Sequence, residues 1–440
     1  MRSRQFPLLL ALAAIVGVVT SAVAWGFLEL IYQIEQGVYT HLPQELGFEG
    51  TPEWWSLPVL AIAGVVTAVA IVRLPGAGGH IPADGLNPEP TQPIELPGVI
   101  LAALASIGLG AVVGPEAPLI ALGGGLGFLA VRLLRRDAPP EIGTLLATAS
   151  TFAALSFLFG SPVIAAVLLI EASGVGGPRL PLVLLPGLMA AGIGSMVSIG
   201  MGQWTGLGNT HITLGSLPLA EFARPDLVDF AWTIPLAAAV ALGTLLIFRL
   251  AKEVVPRARS RPFLLLPIAG LAIAGLAIAF QETTDKTVSE VLFSGESALS
   301  GLVGGAGAWS LSALALVIAF KGLAYAISLG SFRGGPVFPA LYLGSAAGLM
   351  AAHLPGFEAT PAVAVGIGAA TAAVLRLPLS AVVLALLLTS KAGLGTSPLI
   401  IVGVVVAYLT TLAAAGARES TAETRAGAAP AASPAATASR

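Results

Sequence analysis

Apolar stretches of spanning or near-spanning length recur along the whole chain. They fall at about residues 6–31, 57–72, 97–113, 119–134, 144–170, 180–201, 228–251, 263–280, 311–328, 337–350, 362–375, 379–390 and 398–414. Several are shorter than the ~20 residues a helix needs to cross the hydrocarbon core. Many begin at a proline or end at a glycine, so tilted, broken and half-length helices are expected beside full spans. Non-helical backbone survives at membrane depth only where it is buried in protein or lines a polar cavity. So many interruptions therefore fit a channel or transporter better than a simple anchor. Only 10% of the 440 residues are charged, against roughly 25% in an average soluble domain. That excludes a soluble enzyme, a disordered scaffold and a nucleic-acid binder; with a net charge of −2 there is no basic patch for phosphate. Cysteine is absent, which excludes disulfide frameworks, iron–sulfur clusters and thiolate metal sites.

The first 24 residues have the outline of a signal peptide, with Arg2, Arg4 and an Ala22-Val23-Ala24 cleavage site. Hydrophobicity continues without a break to Ile31, so a first transmembrane helix is the preferred reading. Basic residues gather at Arg2 and Arg4, at Arg132, Arg135 and Arg136, and at Arg249, Lys252, Arg257, Arg259 and Arg261. Loops 32–53 and 281–290 are acidic, with Lys286 their only basic residue. The basic set is expected on the cytoplasmic side of a cell membrane, with both termini, and the acidic loops outside. Residues 415–440, rich in Ala, Ser, Thr, Pro and Gly, read as a disordered tail after a single membrane domain, 1–414.

An internal repeat runs through that domain. The stretch from Gly114-Pro115-Glu116-Ala117-Pro118 to Gly127 aligns without gaps on Gly335-Pro336-Val337-Phe338-Pro339 through Gly348. Each copy is followed by an apolar segment and a similar phrase, Ser161-Pro162-Val163 and Leu377-Pro378-Leu379. Halves of about 6–201 and 228–414 that share proline- and glycine-broken segments point to a transporter with internal repeats, its site where the copies meet. An odd number of crossings in the first half would make them inverted. A Gly-Pro start leaves unpaired backbone N–H groups pointing outward, and the helix dipole adds roughly half a positive charge there. Two such ends make an anion site without a formal cation, which lets an ion leave as well as enter. A third loop, Gly76 to Pro82, has the same character through Gly78, Gly79, His80 and Ile81.

Glu116 is a lone carboxylate in an apolar run, where ionisable residues are costly and usually functional. At a half-helix start it can occupy the anion site itself, as a tethered competitor that blocks when ionised and swings away when protonated. Alternatively it satisfies its own helix end. Glu171, at the end of its apolar segment, either meets a cytoplasmic water on a proton path or caps a helix end, and the structural reading is preferred. An embedded enzyme would need a nucleophile–base pair or metal ligands. The four histidines (His41, His80, His211, His353) form no His-Glu-x-x-His and no aspartates cluster, so no metal or cofactor is expected. A secondary transporter of organic anions shares the broken-helix logic but would need a further recognition group.

Together these phrases resemble the CLC family of chloride channels and proton-coupled chloride transporters, over about residues 6–414. Gly114-Pro115-Glu116-Ala117-Pro118 is similar to the family's G-[KR]-E-G-P loop, with the gating glutamate at Glu116. Gly334-Gly335-Pro336-Val337-Phe338-Pro339 matches its G-G-x-F-x-P stretch, with the preceding helix from Lys321, and Gly78-Gly79-His80-Ile81-Pro82 its G-S-G-I-P. The resemblance implies an all-α polytopic membrane protein of two inverted repeats with broken, half-length tilted helices. It further implies a homodimer in the bilayer with one pore per subunit, carrying chloride or another small anion, with or without protons. Anion-binding positions would be Gly78, Gly79, His80, Ile81, Gly114, Pro115, Glu116, Ala117, Pro336, Val337 and Phe338. Three family residues have no match. The anion-coordinating serine falls at Gly79, the internal proton glutamate at Ala172 one place after Glu171, and the late inner-mouth tyrosine is absent, Tyr408 being too early. Losing the internal carboxylate leans toward passive conduction over proton exchange. His80, in place of a glycine, either adds a positive charge near pH 6 or is simply packed, and the packed reading is preferred.

Overall fold

The computed structural model describes residues 5–87, 89–134, 139–174, 180–206 and 214–427. Arg2, Arg4, Arg135, Arg136, His211 and residues 428–440 lie outside the described residues. The first half runs α1 (Gln5–Gln36), a single π turn (Gly37–His41), the short α2 (Leu42–Glu45), α3 (Ser56–Arg73), α4 (Leu96–Gly108), α5 (Glu116–Leu134), α6 (Pro140–Phe159), α7 (Pro162–Ser173) and α8 (Leu180–Trp204). The second runs α9 (Leu227–Ser260), α10 (Pro262–Thr283), α11 (Glu296–Gly304), α12 (Leu311–Ser331), α13 (Val337–Ala351), α14 (Ala359–Leu375), α15 (Pro378–Leu388) and α16 (Ser397–Gly427). Among the described residues 9 helical segments are long and apolar enough to cross a membrane. Short apolar helices, α7, α13, α14 and α15 among them, accompany these spans. The 15 residues of α13 rise about 22 Å, less than the ~30 Å hydrocarbon core.

Local sequence explains these breaks. Proline opens α6, α7, α10 and α15 within the first two positions, where its missing N–H costs nothing. α6 stops at Gly160 in the left-handed conformation, φ 60°, the usual helix-ending glycine geometry. At the C-terminal end the chain departs from the expected tail, because α16 continues to Gly427. Ala413, Ala414, Ala415, Ala417, Arg418 and Glu419 have high helix propensity and surround the single weak position, Gly416, so the helix runs past Ala414.

The two halves are related by a pseudo-two-fold axis that can be read from individual contacts. Gly114 and Gly335, equivalent in the gap-free repeat, pair as an isolated antiparallel bridge, with Gly114 N–H donating to Gly335 O (2.8 Å) and Gly335 N–H to Gly114 O (2.6 Å). Around it, the Val112 amide donates to Ser328 Oγ (3.0 Å) and the Arg333 amide to Ser106 Oγ (3.1 Å). Each bond corresponds to the other with the halves exchanged, the two serines differing by one position from strict register. α3 and α10 repeat the pattern: Gly64 lies against the Leu266 backbone and Gly270 against the Leu60 backbone. The antiparallel pairing of equivalent residues places a two-fold axis through this bridge, as two inverted repeats meeting head to head have. Glycine lets the helices close on each other: a Cβ on Gly123 would meet Thr151 Cα at 2.7 Å across α5 and α6, and Gly344 abuts Gly366 across α13 and α14.

Candidate anion site between two opposed helix starts

The Gly114–Gly335 bridge holds the N-termini of α5 and α13 face to face. Glu116, the first residue of α5, is 1% exposed, and its Oε1 accepts a short hydrogen bond from the Val337 amide at the start of α13. Its other oxygen, Oε2, is buried with no hydrogen-bond partner. The carboxyl fills the gap between the two bridge glycines, and a Cβ on either Gly114 or Gly335 would collide with it. Both repeat glycines are thus fixed by the side chain between them as well as by the turn.

The neighbours of Glu116 face two different cavities. Ala117 and Pro118 line one of about 300 Å³, together with Gly78, Gly79, His80, Arg333 and Gly334. Pro115 lines another of about 160 Å³, with Tyr32, Glu35 and Glu296. The residues on either side of Glu116 thus open onto different cavities, while Glu116 itself lines neither. Phe338 stacks on Phe159 beside it (centroids 6.1 Å, planes 2° apart). The Tyr325 hydroxyl donates to Pro336 O and fixes the turn that aims the Val337 amide.

The expected residues separate into two groups. Gly114, Glu116, Val337 and Phe338 form the tight cluster, with Pro336 at the turn. Gly78, Gly79, His80 and Ala117 form the wall of the larger cavity, while Pro115 belongs to the smaller one. Ile81 is 6% exposed and packs in the hydrophobic core, lining neither cavity. Gly79 has φ +95°, a conformation that excludes serine without strain. The missing family serine is therefore matched by a backbone that has turned away from one. His80 has its pKa pushed below the usual imidazole value by burial, so it is less charged near pH 6 than a free histidine. Glu171 accepts from the Leu379 amide (3.0 Å), the Ser380 amide (2.7 Å) and Ser380 Oγ (2.6 Å). It caps the start of α15, a different helix from its own α7.

Three charged residues that the sequence reading did not single out lie close by. Arg333 is 6% exposed and lines the larger cavity, its Nε donating to Ala77 O (3.3 Å) and Nη1 to Phe332 O (3.1 Å). No carboxylate pairs with it among the described residues. Lys321, wholly buried, donates to the carbonyls of Glu290 (3.0 Å), Val291 (3.3 Å), Leu292 (3.0 Å) and Phe293 (3.4 Å). Its ammonium also lies 4.6 Å from the centre of the Tyr342 ring, and Tyr342 donates to Glu290 Oε2 at 2.6 Å. Glu296 opens α11 on the smaller cavity. Lys321 stands inside the apolar run of α12, the same signal that singled out Glu116.

A spanning helix and a short one whose starts meet head to head at a buried carboxylate, inside a bundle of spanning helices, fit a polytopic membrane transport protein. The family profile described as voltage gated chloride channel matches residues 81–412. Among curated proteins the chain is similar to YfeO of Salmonella schwarzengrund, classed by name with ion transport, at 33% identity over 377 residues, covering 82% of this chain and 84% of that one. YfeO of Salmonella choleraesuis is 33% identical over 374 residues, with the same coverages. Two solved structures share the fold. A slow cyanobacterial Cl−/H+ antiporter superposes with a TM-score of 0.74 at 22% identity, covering 92% of this chain and 94% of that one. A CLC-type fluoride/proton antiporter gives 0.69 at 17%, covering 93% and 96%. The chain belongs to the voltage gated chloride channel (CLC) family. Its activity is anion transport across a membrane, and its relatives are transporters and channels, not enzymes.

Proposed function

We propose that this protein carries chloride or a similar small anion through a pore in each subunit, and that Glu116 is the gate. The observation behind this reading is the Glu116 carboxylate seated on the Val337 amide between two cavities lined by its own neighbours. The amide and the α13 dipole offer partial positive charge where an anion would sit. The ionised carboxylate takes that place as a tethered anion. Protonation removes its charge, weakens its hold, and lets a free anion replace it. The larger cavity, near Arg132 through its bond to Gln92, is the cytoplasmic vestibule, and the smaller one faces outside. Gly78 and Gly79 offer backbone to the anion in that vestibule, and Arg333 supplies a fixed positive charge there.

Passive conduction is the favoured mode. Ala172 provides no internal carboxyl, and Glu171 is committed to α15. Exchange with protons is the second reading: the two similar solved structures are titled antiporters, and Glu116 Oε2 is free to take a proton. The subunits assemble as a homodimer in the cell membrane, as the family resemblance implies. Purified protein in liposomes decides the mode, with chloride efflux and internal pH followed together, with and without valinomycin. Efflux that needs the ionophore and moves no protons establishes a channel. Uphill proton movement driven by a chloride gradient establishes an exchanger. Loss of all chloride, fluoride and nitrate movement overturns the anion reading.

A further inference from the structure

The smaller cavity, of about 160 Å³, brings together Glu35 from α1, Glu296 from α11 and Pro115, the residue before Glu116. It has room for several waters at roughly 30 Å³ each. Ser294 Oγ accepts from the Glu296 amide (3.2 Å), while Glu296 Oε1 is buried without a hydrogen-bond partner. Glu116 Oε2 is in the same condition. A buried, unpaired carboxylate oxygen is costly, and either a proton or water relieves it. Glu116 is almost wholly shielded from solvent, so its proton must arrive through an intermediate group. Glu296 lies within electrostatic reach of both Glu116 and Glu35.

We propose that Glu296, with Glu35 at its outer end, is the station through which Glu116 exchanges protons with the acidic face of the protein. This rests on the gating role given to Glu116 above. The neighbouring ionisable groups have other partners. Glu290 accepts from Tyr342, Lys321 is held by four carbonyls, Tyr39 donates to Leu109 O and Tyr325 to Pro336 O. A proton passes from Glu35 through cavity water to Glu296, then to Glu116 Oε2. The return path regenerates each carboxylate, and no other reactant is needed.

The test is the relaxation of anion current in planar bilayers after laser photolysis of a caged proton, applied to one side at a time. Wild type relaxes when acidified from the Glu35 side. Glu296→Gln is expected to reach the same final current at saturating acid, but roughly 10²-fold more slowly, the lower end of what a positioned proton-transfer group contributes. Glu296→Asp restores most of the rate, and Glu35→Gln slows it less than Glu296→Gln. Glu290→Gln leaves it unchanged. Wild-type relaxation in Glu296→Gln overturns the relay. If Glu296→Gln fails to fold, an unslowed Glu35→Gln overturns it instead. Glu116→Gln tests the underlying gate separately: acid-driven relaxation that persists there overturns the role of Glu116, whatever the Glu296 variants do.

Discussion

Replacing Glu116 with glutamine is the sharpest perturbation the site offers. Gln is nearly isosteric, keeps one carbonyl oxygen for the Val337 amide, and removes the charge that makes the side chain a competitor. A hydrogen bond to a charged group contributes about 1.5–3 kcal/mol against about 1 for a neutral one. The closed arrangement therefore loses on the order of 1–2 kcal/mol relative to the open one. At 1.4 kcal/mol per tenfold, that is roughly a 5–30-fold shift toward open. The shift is also fixed, because an amide does not titrate. In liposomes clamped with valinomycin, wild-type chloride efflux should rise as pH falls through the Glu116 titration. Glu116→Gln should run near the acid-limit rate at every pH. Glu116→Ala, which lacks any plug, should match or exceed it. Two results would refute the reasoning. Flux lost outright in folded protein would make the carboxylate necessary for conduction. An unchanged pH profile would move the gate elsewhere.

Lys321→Met leaves four carbonyls of residues 290–293 without their shared donor, and should lower stability by about 3 kcal/mol, read as a fall in thermal midpoint in detergent. Gly79→Ser places a side chain at φ +95°, at about 1–2 kcal/mol of backbone strain; the same melting assay should show the loss, with no gain in halide discrimination. His80→Asn should change the flux profile on the acid side less than loss of a free imidazole would, since burial holds the imidazole below its usual pKa. A His with a depressed folded-state value takes up its proton more readily when unfolded. Its contribution to stability is therefore present above the ordinary value, near 6.5, and falls as pH drops through it. Glu171→Gln weakens the cap on α15 by about 1–2 kcal/mol; it should lower the melting point and leave the ratio of proton to chloride movement unaltered.

Much of this architecture was legible because the membrane makes it so. The proline and glycine interruptions, the gap-free repeat from Gly114 and Gly335, and the isolated carboxylate of Glu116 each cost too much in hydrocarbon to be incidental. The inversion of the repeats was not legible: it lives in the pairing of Gly114 with Gly335 and in the exchange of Ser106 and Ser328 between halves, contacts more than 200 residues apart. Glu171 illustrates a different limit. Its place at the end of α7 suggested a cap for that helix, yet its partners belong to α15, which no local pattern announces.

Arg333 and Glu296 show why charges near Glu116 escaped a reading that singled out Glu116 itself. Each sits at the edge of an apolar segment, where a charge is ordinarily a solvated helix end. What gives each a role is a cavity formed by chain remote in sequence: Gly78 and His80 for Arg333, Glu35 for Glu296. These two charges have opposite sign and lie on opposite sides of Glu116. An anion in the larger cavity meets the Arg333 guanidinium beside the carboxylates of Glu89 and Glu95, while the smaller cavity presents the carboxylates of Glu35 and Glu296 with no cation among its lining residues. On the proposed reading, Glu116 has the guanidinium on its larger-cavity side and only carboxylates on the other. That asymmetry follows from which residues flank Glu116, Pro115 facing one cavity and Ala117 the other, and it would persist in a channel as well as in an exchanger.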